Sequence, residues 1–164
     1  MKGIFRIAAP ALLCLAVLVS CSRQTYTDTL SCGDLGEEII TALGDGQEYL
    51  DYDSLHREYY FEDTEEYDDC RLIYSSDTND INEIGIFHAP DARRAEELED
   101  TCRDYIEDMR EDSRDFIASY APEELPKLDG AQVRRYGNYV VYTVLPSQST
   151  EDVLSLVEEM LTEK

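Results

Sequence analysis

The amino-acid sequence predicts an α+β domain: an N-terminal helix, then two ββα units whose four strands form one antiparallel sheet with helices packed on one face. Three observations carry that prediction. Alternating, branched and aromatic runs closed by a turn, then a proline, then an amphipathic helix occur in that order at residues 70–120. The same order returns at 131–162, although the residue identities of the two units do not align. The chain of 164 residues, 43% hydrophobic, suits one core with a tether and not two domains.

The elements follow in order. Leu35, Ile39, Ile40 and Leu43 recur at helical spacing, and Gly44 and Gly46 supply the turn chemistry that ends this first helix. Residues 47–69 are dense in Tyr, Asp and Glu and carry only a weak helical pattern around 54–60. Cys70-Arg71-Leu72-Ile73-Tyr74 alternates as a strand, Asp77-Thr78-Asn79-Asp80 supplies the turn, and residues 83–89 return. Pro90 stops the hairpin and Asp91 is placed to cap the next helix. That helix is marked by Ala95, Leu98, Cys102, Tyr105, Ile106 and Met109, with Phe116, Ile117 and Tyr120 continuing the stripe, and Glu99 and Arg103 form a four-spaced pair outside it. Pro122 and Pro126 end it. Residues 131–136 and 139–145 form the second hairpin around Gly137-Asn138, Pro146 closes it, and Ser149-Thr150-Glu151-Asp152 reads as a capping box. Val153, Leu154, Val157, Met160 and Leu161 make the apolar face of the last helix.

Residues 1–21 read as a lipoprotein signal. Lys2 and Arg6 form a basic start, residues 7–19 an apolar run broken by Pro10, and Leu18-Val19-Ser20-Cys21 matches a lipobox. The run is too short to span a bilayer comfortably. The expectation is cleavage before Cys21, diacylglycerol on its sulfur, a tether over residues 21–30 and a domain over residues 31–164, facing outward from the cell membrane.

Loss of residues 1–20 removes two bases and no acid, which moves the net charge from −23 to −25. Such a balance argues against nucleic acid, whose phosphates need clustered Lys and Arg, and against close contact with anionic headgroups beyond the anchor. Cationic surfaces, divalent cations and protein partners at the cell surface fit it, as does a plain role in solubility. Cys32, Cys70 and Cys102 remain after Cys14 and Cys21 are assigned to the signal and the lipid. Cys70–Cys102 and Cys32–Cys102 are both open as disulfides, and buried thiols are the favoured reading.

Candidate sites are sparse. An EF-hand register started at Asp77 fails at Ile81, Asn82 and His88. Asp51-Tyr52-Asp53 and the acids of residues 62–66 offer at most a loose hydrated cation site, so no metal or cofactor is assigned. His56 and His88 lie in no catalytic motif, and alternation puts His88 beside Ile84 and Ile86. Cys102 lies on an apolar stripe of an acidic protein, a poor setting for a thiolate. With no catalytic residue to name, the chain reads as a non-enzymatic binding or accessory module, the alternative being a lipoprotein that binds a small ligand or a divalent cation. Tyr49, Tyr52, Tyr59, Tyr60, Phe61 and Tyr67 crowd into one acidic segment, either as a docking surface selecting cationic ligands or as rings packed over the sheet.

Three stretches carry a family resemblance: Ile84-Gly85-Ile86-Phe87 with the charged helix after it, Ser119-Tyr120-Ala121-Pro122-Glu123-Glu124, and residues 133–141 with Gly137-Asn138-Tyr139-Val140. Together they resemble a family of small lipoproteins from Gram-positive anaerobes classed as a domain of unknown function. The resemblance covers roughly residues 30–162 and implies a surface lipoprotein with a small α+β domain. It implies no activity, cofactor or catalytic residue.

Overall fold

Strands that are apolar on both sides decide this architecture. In the computed structural model, which describes residues 24–61 and 67–163, β2 (Asp69–Ser75) and β3 (Glu83–His88) form one hairpin. The strands β4 (Gln132–Tyr136) and β5 (Tyr139–Val144) form another, and β3 pairs with β5 to join them. Every residue of β5, and every residue of β3 except His88, is buried. Strands buried on both faces need cover on both faces.

That requirement corrects the expected one-sided packing. The helices α1 (Cys32–Leu43) and α5 (Ser147–Leu161) cover one face, where Leu35, Ile39, Val153 and Val157 pack on Ile73, Ile84, Ile86 and Val141. The long helix α3 (Ala92–Tyr120) covers the other, where Ala95, Leu98, Cys102 and Ile106 pack on Leu72, Phe87, Val140 and Val144. The two hairpin–helix units therefore send their helices to opposite faces. The α+β class stands, but the sheet has five antiparallel strands, not four, with β1 (Tyr49–Asp51) at one edge, in the order β1-β2-β3-β5-β4. The added strand, β1, pairs Tyr49 with Ser75 and Asp51 with Ile73 at the open edge of β2. Its three residues are too few to show alternation, so pairing and not pattern makes it a strand.

Local chemistry sets the ends. Ser31 caps α1 through its hydroxyl, which accepts from Asp34 N, and Gly44 closes it in the left-handed region at φ 52°. Asp91 accepts from the amides of Arg93 and Arg94 to open α3. Gly137 at φ 63° begins the two-residue turn of the second hairpin, the geometry that matches strand twist. The final helix differs from its predicted start: it begins at Ser147 after Pro146, and Thr150 is fully buried, with its hydroxyl 3.4 Å from Leu145 O. The described part of the expected tether lies against the end of α5, with Thr27 N donating to Leu161 O and Glu163 N donating to Thr25 O.

The Pro-Glu-Glu segment after α3 has a structural task. Glu124, 8% exposed, accepts from the amide of Ile81 at 3.0 Å and pairs with Lys127 at 2.7 Å, while Lys127 also pairs with Asp80 at 2.8 Å. This pins the β2–β3 turn to the short helix α4 (Leu125–Asp129). Burial opposes the Lys127 charge, but its bonds to Asp80 and Glu124 outweigh that and raise its pKa. Replacing Lys127 with Met leaves two largely buried carboxylates without their shared cation. We expect a loss of about 2–4 kcal/mol in denaturant unfolding, and a loss below about 0.5 kcal/mol would contradict this role for the pair.

Candidate functional site

A glutamate on the buried face of a strand must find donors, and Glu83 finds three. At the start of β3 it shares a face with Gly85 and Phe87, the face that α3 covers, and it is 6% exposed. Its Oε1 accepts from the hydroxyls of Tyr105 at 2.7 Å and Tyr142 at 2.6 Å, and its Oε2 from that of Tyr52 at 2.8 Å. The three tyrosines come from α3, β5 and the segment after β1. Tyr142 reaches Glu83 because its cross-strand partner is Gly85: a Cβ on Gly85 would stand 2.0 Å from the Tyr142 ring. The glycine is the space in which that ring lies.

Around Glu83 opens a cavity of about 370 Å³ between α3 and α2 (Ser54–Tyr60). Rings make much of its wall. His56 stacks on Tyr52 at 3.6 Å with 8° between the planes, Tyr74 stacks on the same tyrosine at 4.3 Å, and Tyr60 meets Tyr105 edge-on. At 29 residues, α3 is about 43 Å long, roughly twice the span of a strand of six or seven residues. Its last turns carry Phe116, 64% exposed, to the cavity rim. Asp108 and Asp112 lie one turn apart on the same helix and also line the opening.

Two polar atoms in this wall have no partner among the described residues: Asn82 Oδ1 and His56 Nε2. The Asn82 amide cannot turn to hide its oxygen. Tyr49 donates its hydroxyl proton to Asp45 at 2.8 Å, so toward Asn82 it can only accept, and Asn82 Nδ2 donates to it at 3.2 Å. Burial pushes the His56 pKa down despite the nearby Glu83 and Asp53. Burial first, and the Glu83 charge second, raise Tyr52, Tyr105 and Tyr142 well above the usual phenol range, so these hydroxyls keep the protons they donate.

The residues singled out from sequence divide between packing and site. Tyr52 and Tyr60 line the cavity, whereas Phe61 is 2% exposed in the core under α3 and Tyr67 packs edge-on against Phe87. Tyr49 orients Asn82, and Tyr59 is 75% exposed. Asp51 pairs with Arg71 at 2.8 Å and Asp53 caps α2, so both acids have structural partners. No group of three His, Cys, Asp or Glu side chains placed to hold a metal occurs among the described residues. His88 packs at a tilt against the Tyr139 ring, 4.4 Å between centroids, with Nε2 3.4 Å from Asp28. Cys32, Cys70 and Cys102 are thiols, with Cys32 and Cys102 buried under opposite faces of the sheet. Cys21 and residues 62–66 lie outside the described residues.

Sequence reasoning missed Glu83, Asn82, Tyr142 and the acids of α3, and assigned Tyr105 only to an apolar stripe. A usable signal existed: strand alternation places a carboxylate at 83 on the same side as Phe87, a buried position that demands donors.

Fold and cavity together define a small α+β domain with an aromatic, acidic recess beside a buried carboxylate. The chain belongs to the family described as "Domain of unknown function (DUF4358)", which matches residues 44–145 and so contains every residue lining the recess. Neither a curated protein nor a solved structure matches the chain.

Two outcomes follow. Gly85→Ala should cost about 3 kcal/mol by displacing the Tyr142 ring, measured by urea unfolding; a cost near zero would mean that the ring moves freely. Tyr136 and Tyr139, pushed up to about 12, join the three site tyrosines in ionising later than an unfolded chain, whose tyrosines titrate near pH 10. Stability is then complete below about pH 10 and falls as pH rises above it. Tyrosinate absorbance should therefore rise together with loss of circular dichroism, and smooth ionisation of a folded chain would refute the donor roles.

Proposed function

We propose that this protein is a membrane-anchored, extracytoplasmic binding module, held by a lipid on Cys21, whose recess takes up a small ligand. The observation that carries the reading is the unmet acceptor Asn82 Oδ1, in a residue 4% exposed that lines an open cavity. A buried carbonyl oxygen without a donor costs about 1–3 kcal/mol, and a ligand whose donor reaches it by shifting the covering side chains recovers that cost. The cavity volume falls within the range of small-molecule sites, about 300–1,000 Å³. The lipobox at Leu18-Val19-Ser20-Cys21 supports the anchor and the outward address, and the resemblance to small lipoproteins of Gram-positive anaerobes agrees with it.

Binding rather than catalysis is the reading the site chemistry favours. Three hydroxyls occupy Glu83, and the tyrosines around it hold their protons, so neither set offers a ready base.

Two measurements test the proposal. On cell fractionation the native protein should pellet with membranes and Cys21→Ser should not; a membrane-bound Cys21→Ser protein would refute the anchor. In thermal unfolding, a ligand at a hundredfold excess over its Kd adds about 2.7 kcal/mol. That gain should vanish in Ser113→Trp, which fills the opening from α3. A gain that survives in Ser113→Trp would put binding elsewhere.

A further inference from the structure

We infer that the recess is built for a small organic cation, an alkylammonium whose N–H groups meet Asn82 and Glu83 while its carbon stem lies among the rings. The inference rests on the binding reading above and names its ligand class.

Donors and acceptors around Asn82 and Glu83 are unequal in number. Asn82 Oδ1 only accepts, so its missing partner is a donor. Tyr52, Tyr105 and Tyr142 have all given their protons to Glu83 and cannot donate to anything else in the cavity. A carboxylate has about four lone-pair sites; two on Oε1 and one on Oε2 are used, which leaves one on Oε2. His56, neutral at physiological pH, presents one further ring nitrogen that is an acceptor in one tautomer. Tyr60, Tyr74 and Ser113 also bring hydroxyls to the lining, but none is bonded to Asn82 or Glu83, so these two acceptors still lack donors, and an ammonium brings three.

Charge gives the same answer independently. The lining holds Asp80, Glu83, Asp108 and Asp112, and neither Lys nor Arg. Lys127 answers Asp80, but Asp108 and Asp112 have no ion-pair partner among the described residues. An anion would meet uncompensated repulsion. A bare divalent ion would need a shell of oxygen ligands, which ring faces do not supply. Ring faces do attract an organic cation, whose charge sits over the negative side of the π system. Met109, Ile81 and Ile117 add apolar surface for the stem.

The test is calorimetric titration of the detergent-solubilised full chain with 1,5-diaminopentane, tetramethylammonium and magnesium chloride, followed in parallel by the NMR signals of the tyrosine rings. Diaminopentane should bind once per chain and shift the Tyr52 and Tyr105 signals. Tetramethylammonium, which has charge but no N–H, should bind at least tenfold more weakly. In Asp108→Asn/Asp112→Asn, whose changes lie on an exposed helix face, the diamine affinity should fall at least tenfold with the fold intact. Equal binding of magnesium and diamine, or a diamine affinity unchanged in the double variant, would overturn the inference. If diaminopentane leaves the ring signals still while a neutral disaccharide or dipeptide moves them, the cation class is wrong and the binding module survives. If no probe of any class moves them, both readings fall.

Discussion

A carboxylate removed from water on the face of a β-sheet has to be surrounded, and in this protein that necessity organises one whole side of the molecule. Glu83 draws a hydroxyl from the segment after β1, one from the middle of α3 and one from β5. Each bond is charge-assisted and contributes about 1.5–3 kcal/mol, and loss of any one exposes part of a buried charge. The register of α3 against the sheet is thereby tied to a single side chain. So is the glycine at 85, since a side chain there would expel the Tyr142 ring. The recess exists because three elements converge on one anion beside α3.

The opposite face is assembled by different means. Under α1 and α5 the contacts are mainly aliphatic, and buried tyrosine hydroxyls reach backbone oxygens, Tyr136 to Leu154 at 2.9 Å and Tyr139 to Leu30 at 2.6 Å. At its margin Asp69 accepts from the amide of Cys32 at 2.8 Å, and Arg71 pairs with Glu37 and Asp51. The two faces thus differ within one sheet: a mainly aliphatic layer on one side, and on the other an aromatic layer that ends in an acidic opening. The family match ends before α5 and begins after α1, so it spans the sheet and the aromatic side.

Much of the candidate site was within reach of the sequence, but only as ingredients. The concentration of tyrosines in residues 47–69 was visible, and Tyr52 and Tyr60 do face the recess. Glu83 was not visible as special, because with 37 acids in the chain one more carboxylate selects nothing. Its meaning depends on strand parity, which makes it an inward residue, and on partners 22 and 59 positions away. Asn82 is harder still. Its importance lies in a bond it does not make, which follows from Tyr49 having spent its proton on Asp45.

The sequence by itself determined the class, the two hairpins, the long helix, the caps at Asp91 and Gly44, and the turn at Gly137-Asn138, because each depends on neighbours within a few residues. It also determined the stop after Tyr120, where proline ends a helix whatever surrounds it. Only the tertiary structure decided that helices cover both faces of the sheet, that three residues after Gly46 and Gln47-Glu48 become an edge strand, and that the acids at 80 and 124 close on one lysine. Those outcomes are settled by what remains uncovered once the local elements exist. An apolar strand face needs a helix, an open strand edge needs hydrogen bonds, and a buried carboxylate needs donors. Local spacing records the need and leaves the partner to the folded chain.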